Sequence, residues 1–174
     1  MADFRPPGRW VGHNNDYSVC TTWLVNYQDA YLSHVFRDRL EYPDLRRKVI
    51  ALGKEHAAET ILIEDAGPGM NLIQDLRADL KKPIVNPVPI KPEGSKVDRM
   101  VAQSAKIEAG HVYLPKDAPW LATFMRELLA FPNGANDDQV DSVSQLLVWM
   151  QKSGPRPMTF HPPFTVSRPR NFPG

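Results

Sequence analysis

The chain has a single cysteine, Cys20, in 174 residues. An intramolecular disulfide is therefore excluded, and with it a small scaffold stapled by bridges. Cys20 lies among strand-forming residues, which predicts a small buried hydrophobe rather than a reactive thiol. No apolar run approaches the roughly 20 residues that a membrane-spanning helix needs, so no membrane partner is expected. Met1 to Gly12 lacks a basic segment followed by an apolar one, so nothing there predicts export and the expected location is cytoplasmic. An excess of one charge is missing too, since 21 Lys and Arg stand against 20 Asp and Glu for a formal net charge of +1. Contact with nucleic acid must then come from a local patch on a nearly balanced surface.

Several chemistries are excluded by missing motifs. There is no GxxxxGK[ST] loop, so the chain is not by itself a nucleoside-triphosphate motor. The histidines His13, His34, His56, His111 and His161 have no metal-ligand spacing, and neither a GxSxG elbow nor a Cys/His dyad occurs. Zinc and acyl-transfer chemistry are not expected.

The elements that are present alternate. Residues 1–15 carry the loop formers of an extended arm. The run Tyr17 to Tyr27 (YSVCTTWLVNY) and the run Ala30 to Phe36, separated by Gln28-Asp29, are rich in β-branched and aromatic residues and predict a hairpin. Tyr42-Pro43-Asp44 opens a helix with Leu45, Val49 and Leu52 at helical spacing, ending near Ala58. Thr60 to Ile63 is a short buried-strand pattern that stops at Glu64-Asp65. The AGPGM segment reads as a turn into a helix over Asn71 to Leu80. Lys81 to Lys91 alternates prolines with Ile84, Val85, Val88 and Ile90, as an edge or bulged strand does. A helix after Gly94-Ser95 is expected to carry Val97, Met100, Val101, Ser104 and Ile107 on one face and to stop before Gly110. A strand at Val112 to Leu114 precedes helices over about Pro119 to Ala130 and Asp138 to Gln151, the last with Val140, Val143, Leu147 and Met150 inward. From Ser153 onward, frequent prolines predict a non-helical tail. The expected organisation is an arm (1–15), one domain (16–152) and a Pro-rich tail (153–174).

Three clusters could carry chemistry. Glu64, beside Asp65, stands at the C-terminal end of a buried strand, where loops converge and ligands bind in open sheets, and Gly67 and Gly69 allow close backbone approach. A turn or helix-capping acid explains it as well. Asn136-Asp137-Asp138-Gln139-Val140-Asp141 places Asp137 or Asp138 on one helix face with Asp141. The helix dipole accounts for acids in a first turn. Asp141 lies deeper, beside core positions, and a hard cation such as Mg²⁺ or Mn²⁺ would turn the mutual repulsion into ligation. Lys91 with Gly94-Ser95-Lys96-Val97-Asp98-Arg99 puts two cations and free backbone N–H groups at a helix start, which suits phosphate, although taken alone the motif reads more readily as a solvated helix face.

Taken in order, NDYSVCTTWLV, YPDLRRKV, ILIEDAGPG, IKPEGSKVDRM, IEAGHVYLP, ELLAFPNG and NDDQVDSVSQ resemble the succession of motifs in the C-terminal nuclease domain of tailed-phage large terminases, from Asn15 to about Met150. The resemblance implies an α/β, ribonuclease H-like mixed sheet flanked by helices. It also implies a metal-dependent DNA endonuclease that cuts concatemeric genomes in the bacterial host cell, with two Mg²⁺ or Mn²⁺ ions. By matching motif, Glu64, Asp138 and Asp141 become the catalytic metal ligands, with Asp16 and Asp137 as further ligands. Lys91, Lys96 and Arg99 would then contact the backbone of double-stranded DNA. An ATPase domain, the small terminase subunit and the portal are the implied partners. The sequence departs from the pattern in two places. The apolar strand that carries the family's first acid, usually upstream of the DYSV segment, is missing, with only Asp3 in a poor strand, and Asn136 stands where a histidine is usual. A truncated, impaired nuclease is therefore expected. The alternative is a catalytically silent prophage remnant that binds DNA or assists packaging. A junction resolvase or transposase would place acids in the same way, although the DYSV, GSKVDR and FPNG segments favour a terminase.

Overall fold

A computed structural model describes residues 17–78 and 86–153. The expected arm, Asp3 and Asp16, the start of the Lys81 to Lys91 segment, and the tail beyond Ser153 lie outside the described residues. The elements run in the expected order: β1 (Ser18–Asn26), β2 (Asp29–Asp38), α1 (Tyr42–Glu55), β3 (Thr60–Glu64), α2 (Pro68–Ala78), β4 (Asn86–Ile90), α3 (Lys96–Glu108), β5 (Val112–Tyr113), α4 (Leu121–Ala130) and α5 (Asp138–Ser153).

The hairpin pairs β1 with β2 in antiparallel register, from Ser18 opposite Asp38 to Asn26 opposite Asp29, with a bulge between Thr22 and Trp23. Its short connection needs a left-handed residue, and Tyr27 takes that conformation at φ 53° although it is not glycine. β5 adds to β2 in parallel, with Ala30 opposite Val112. β3 and β4 pair in parallel, from Thr60 opposite Asn86 to Glu64 opposite Ile90. Among the described residues the strands therefore fall into a mixed sheet of order β1-β2-β5 and a parallel pair β3-β4. The prolines of β4, Pro87 and Pro89, are tolerated because β4 has a partner on one side only among these residues.

Alternation along β3 joins the two groups of strands. Leu62 packs against the larger core, made of Ala30, Leu32 and Val35 of β2, Phe124 of α4, and Val143, Leu146, Leu147 and Met150 of α5. Ile61 and Ile63 point the other way, into a second core with Leu72 and Ile73 of α2 and Tyr42, Leu45 and Val49 of α1. A strand buried on both faces is what the uninterrupted TILI run encodes. α1 also lies along β2, with Lys48 Nζ 4.6 Å from the Phe36 ring and His56 5.0 Å from the His34 ring. Helices thus cover both faces of the strands.

Two expectations change. α2 begins at Pro68, three residues before the expected start, because proline suits a first helical turn and ends nothing there. Gly69 sits inside that turn, where a Cβ would stand 2.0 Å from the backbone oxygen of Glu64. The face of α3 is also not the apolar one. Val97, Val101 and Ile107 are exposed, Val101 by 64%, whereas Gln103 is 2% exposed. Its inner face is polar because α5 offers polar partners: Gln103 Nε2 donates to Gln151 Oε1 at 3.3 Å, and Lys106 Nζ donates to the Leu147 carbonyl at 2.9 Å. Hydrogen bonds between the helices outweigh the apolar periodicity.

Candidate active site

A carboxylate from β3 reaches the face of α5 that carries Asp141. Glu64 ends β3, and its Oε2 accepts a hydrogen bond from Gln145 Nε2 at 2.6 Å. Gln145 follows Asp141 by four residues, so both belong to the same helical face. Glu64 therefore points toward the last helix, one turn from Asp141. Thr21 of β1 reaches the same helix, its hydroxyl 2.7 Å from that of Ser142.

Asp141 is held by cations. Arg99 Nη2 donates to its Oδ1 at 2.6 Å, and Lys96 Nζ lies 2.8 Å from its Oδ2 and 2.6 Å from Asp137 Oδ1. The local sequence places them. Gly94 turns the chain at φ 71°, and the Ser95 hydroxyl caps α3 by accepting from the Asp98 N–H at 3.1 Å. Lys96 and Arg99 are then on the first turn, facing the start of α5, and Arg99 Nη1 also donates to the Gly94 carbonyl at 3.1 Å. The Arg99 and Asp141 side chains are 11% and 13% exposed, whereas Lys96 and Asp137 stand half-open to solvent. Burial pulls the Lys96 ammonium down, but hydrogen bonds to Asp137 and Asp141 outweigh it and hold its pKa well above the ordinary lysine value. Lys96 is a permanent cation here.

The start of α5 has an anchor that the sequence reading did not single out. Glu127 of α4 is 8% exposed, and its two oxygens accept from the Gln139 N–H at 2.7 Å and from Gln139 Nε2 at 2.5 Å. Arg37 Nε lies 3.7 Å from the same carboxylate. An acid on the apolar face of LATFMRELLA, three residues after the buried Phe124, was the available clue. Gln145 was missed as well, and only its spacing from Asp141 pointed to it.

The expected residues are thus partly gathered. Glu64, Asp137 and Asp141 meet the α3–α5 side of the molecule, and Asp138 is the first residue of α5. Lys91 borders a cavity of about 210 Å³ with Asp98, Arg99, Gln145 and Lys152. Asp16 lies outside the described residues.

The fold and the site define a class: an α/β protein whose strand-end acid is turned by a hydrogen bond toward the last helix, where two further acids are paired with cations. A family model described as the terminase RNaseH-like domain matches residues 7–149, and the chain belongs to that family. It is a nuclease-type domain of the phage DNA-packaging terminases. Among curated proteins, none matches the chain.

The family implies divalent metal, which the side chains present can test. Among the described residues, no three His, Cys, Asp or Glu side chains are grouped closely enough to hold an ion. Both Asp141 oxygens already face a cation, and the charges of Lys96 and Arg99 offset those of Asp137 and Asp141. In this arrangement the donor set does not fit a pair of metal ions. No helix among the described residues is long and apolar enough to cross a membrane.

Proposed function

We propose that the chain is a DNA phosphodiester hydrolase of phage genome packaging, with Glu64, Asp138 and Asp141 as its essential carboxylates. The observation that supports this reading best is the Glu64–Gln145 hydrogen bond, which turns the β3 acid toward the helix that carries both aspartates. Hydrolysis with two Mg²⁺ or Mn²⁺ ions requires more than the described arrangement offers. Lys96 and Arg99 must release Asp141, and at least one further anionic ligand must come from outside the described residues, a role proposed for Asp16, with Asp137 as an added donor. DNA contact by Lys96 and Arg99 requires the same exchange, phosphate replacing carboxylate as their partner. Lys91 needs none. The ATPase domain, the small terminase subunit and the portal are the proposed partners, and the arm and tail flanking one domain are the proposed organisation.

Plasmid nicking in Mn²⁺ tests the reading. The expected result is cleavage by the wild type that Glu64→Ala and Asp141→Ala both abolish. Equal trace activity in all three proteins would remove the catalytic assignment.

A second reading is favoured by the neutralisation of Asp141: a catalytically silent module that binds DNA or assists assembly. Calorimetric titration with Mn²⁺ separates the two, because a silent module shows no binding that depends on Glu64.

A further inference from the structure

If Lys96 and Arg99 spend their charge on carboxylates, DNA must be met by other cations. A cavity of about 270 Å³ opens between β2, α4 and the loop before α5, walled by Arg37, Thr123, Arg126, Glu127, Gly134 and Asn136. Glu127 is the one acid in this wall; its two oxygens accept from Gln139 and its charge is faced by Arg37 Nε at 3.7 Å, which leaves Arg126 as the wall's unpaired cation among the described residues. Arg37 is 19% exposed, and its Nε is buried without a hydrogen-bond partner. Its guanidinium carbon lies 3.4 Å from the centre of the Tyr17 ring, and that of Arg39 lies 4.5 Å from the same ring. Tyr17 thus gathers two arginines at the mouth of the hairpin. Arg126 is exposed and has no ion-pair or hydrogen-bond partner among the described residues. A planar guanidinium with open donors matches the paired oxygens of a phosphodiester. The Thr123 hydroxyl and the Asn136 amide are neutral donors on the same wall.

We propose that this cavity is a seat for a backbone phosphate of double-stranded DNA, held by Arg126 and Arg37. The seat rests on the DNA-processing reading above but not on metal or cleavage. Asn136 directly precedes Asp137, so a phosphate seated there lies beside the start of α5, and the duplex is led toward the acidic face. One ligand chemistry has two sources, a duplex phosphate and free inorganic phosphate, and the assay must tell them apart.

The test is binding of a short labelled duplex by the full chain in EDTA, followed by anisotropy across a series of KCl concentrations. Arg126→Ala is expected to weaken binding roughly tenfold and to lower the slope of log K against log [salt] by about 1. Arg126→Glu should weaken it further, and Arg47→Ala, which removes a surface cation paired with Asp44 on α1, should change little. Thermal melting of each variant confirms that the fold is retained, as an exposed helical position predicts. Binding and slope that survive Arg126→Glu would overturn the seat while leaving the nuclease reading intact. Inorganic phosphate that binds in an Arg126-dependent way, with duplex affinity unchanged by Arg126→Glu, would also overturn it, in favour of a small-anion pocket. Loss of Mn²⁺-dependent nicking with Arg126-dependent duplex binding preserved would sink the nuclease reading and keep the seat. A wild type that binds no duplex would overturn the seat and leave nicking in Mn²⁺ to decide the nuclease reading.

Discussion

Arg99 and Lys96 touch the same carboxylate, yet their surroundings give them unequal weight. The Arg99–Asp141 pair is nearly closed to water, so Arg99→Ala leaves a carboxylate desolvated and short of a partner. Roughly 3 kcal/mol of stability should be lost, as when one member of a buried pair is removed. Lys96 is far more open, with water ready to replace it, and Lys96→Ala should cost about 1 kcal/mol or less. Urea unfolding of the two variants checks the ranking, and equal losses would contradict it. The chemistry of these residues was legible in the sequence, since GSKVDR and NDDQVD each advertise charge at a helix start. What could not be read was that the cations of one motif answer the acids of the other, because the two lie some forty residues apart along the chain. Phosphate and metal were the expected partners, and the fold supplied a nearer one.

At the scale of elements, α5 depends on a side chain it does not own. Its first turn has N–H groups that need acceptors, and Glu127 supplies both oxygens to Gln139 from α4. Glu127→Ala should leave a backbone N–H and an amide without their acceptor and the Arg37 guanidinium without its ion-pair partner, at a cost of about 2 kcal/mol. Amide exchange of the first turn of α5 should quicken more than that of its Leu146–Met150 segment, measured by hydrogen exchange. Uniform acceleration along the helix would show that Glu127 supports the fold generally and does not hold this turn. The helices were recognisable from periodicity and caps, Ser95 and Gly110 being clear punctuation for α3. The inward face of α3 was not, since Val97, Val101 and Ile107 satisfy an apolar repeat that the packing leaves outside. Periodicity reports where apolar residues recur, and it is silent on whether the neighbouring helix presents hydrocarbon or amides.

In the whole molecule, two cores share the strands between them. β3 sends Leu62 to one and Ile61 and Ile63 to the other, and α5 contacts both β1 and the end of β3. Leu147, 1% exposed at the centre of the larger core, is the residue through which this coupling can be tested. Leu147→Ala should destabilise by about 3 kcal/mol, and hairpin and β3–β4 pair should still unfold in one transition. Separate transitions, followed by tryptophan fluorescence for the larger core, against which Trp23, Trp120 and Trp149 pack, and far-UV dichroism for the whole, would show that the cores are independent. The order of elements, the buried nature of β3 and the candidate acids were all determined by the sequence itself, through local rules: period, capping, turn chemistry and charge. Only the tertiary structure decided which charges meet, which face of α3 is inside, and that Glu127 anchors the helix bearing Asp138 and Asp141. Those outcomes depend on distances between segments far apart in the chain, and a local pattern does not contain such distances.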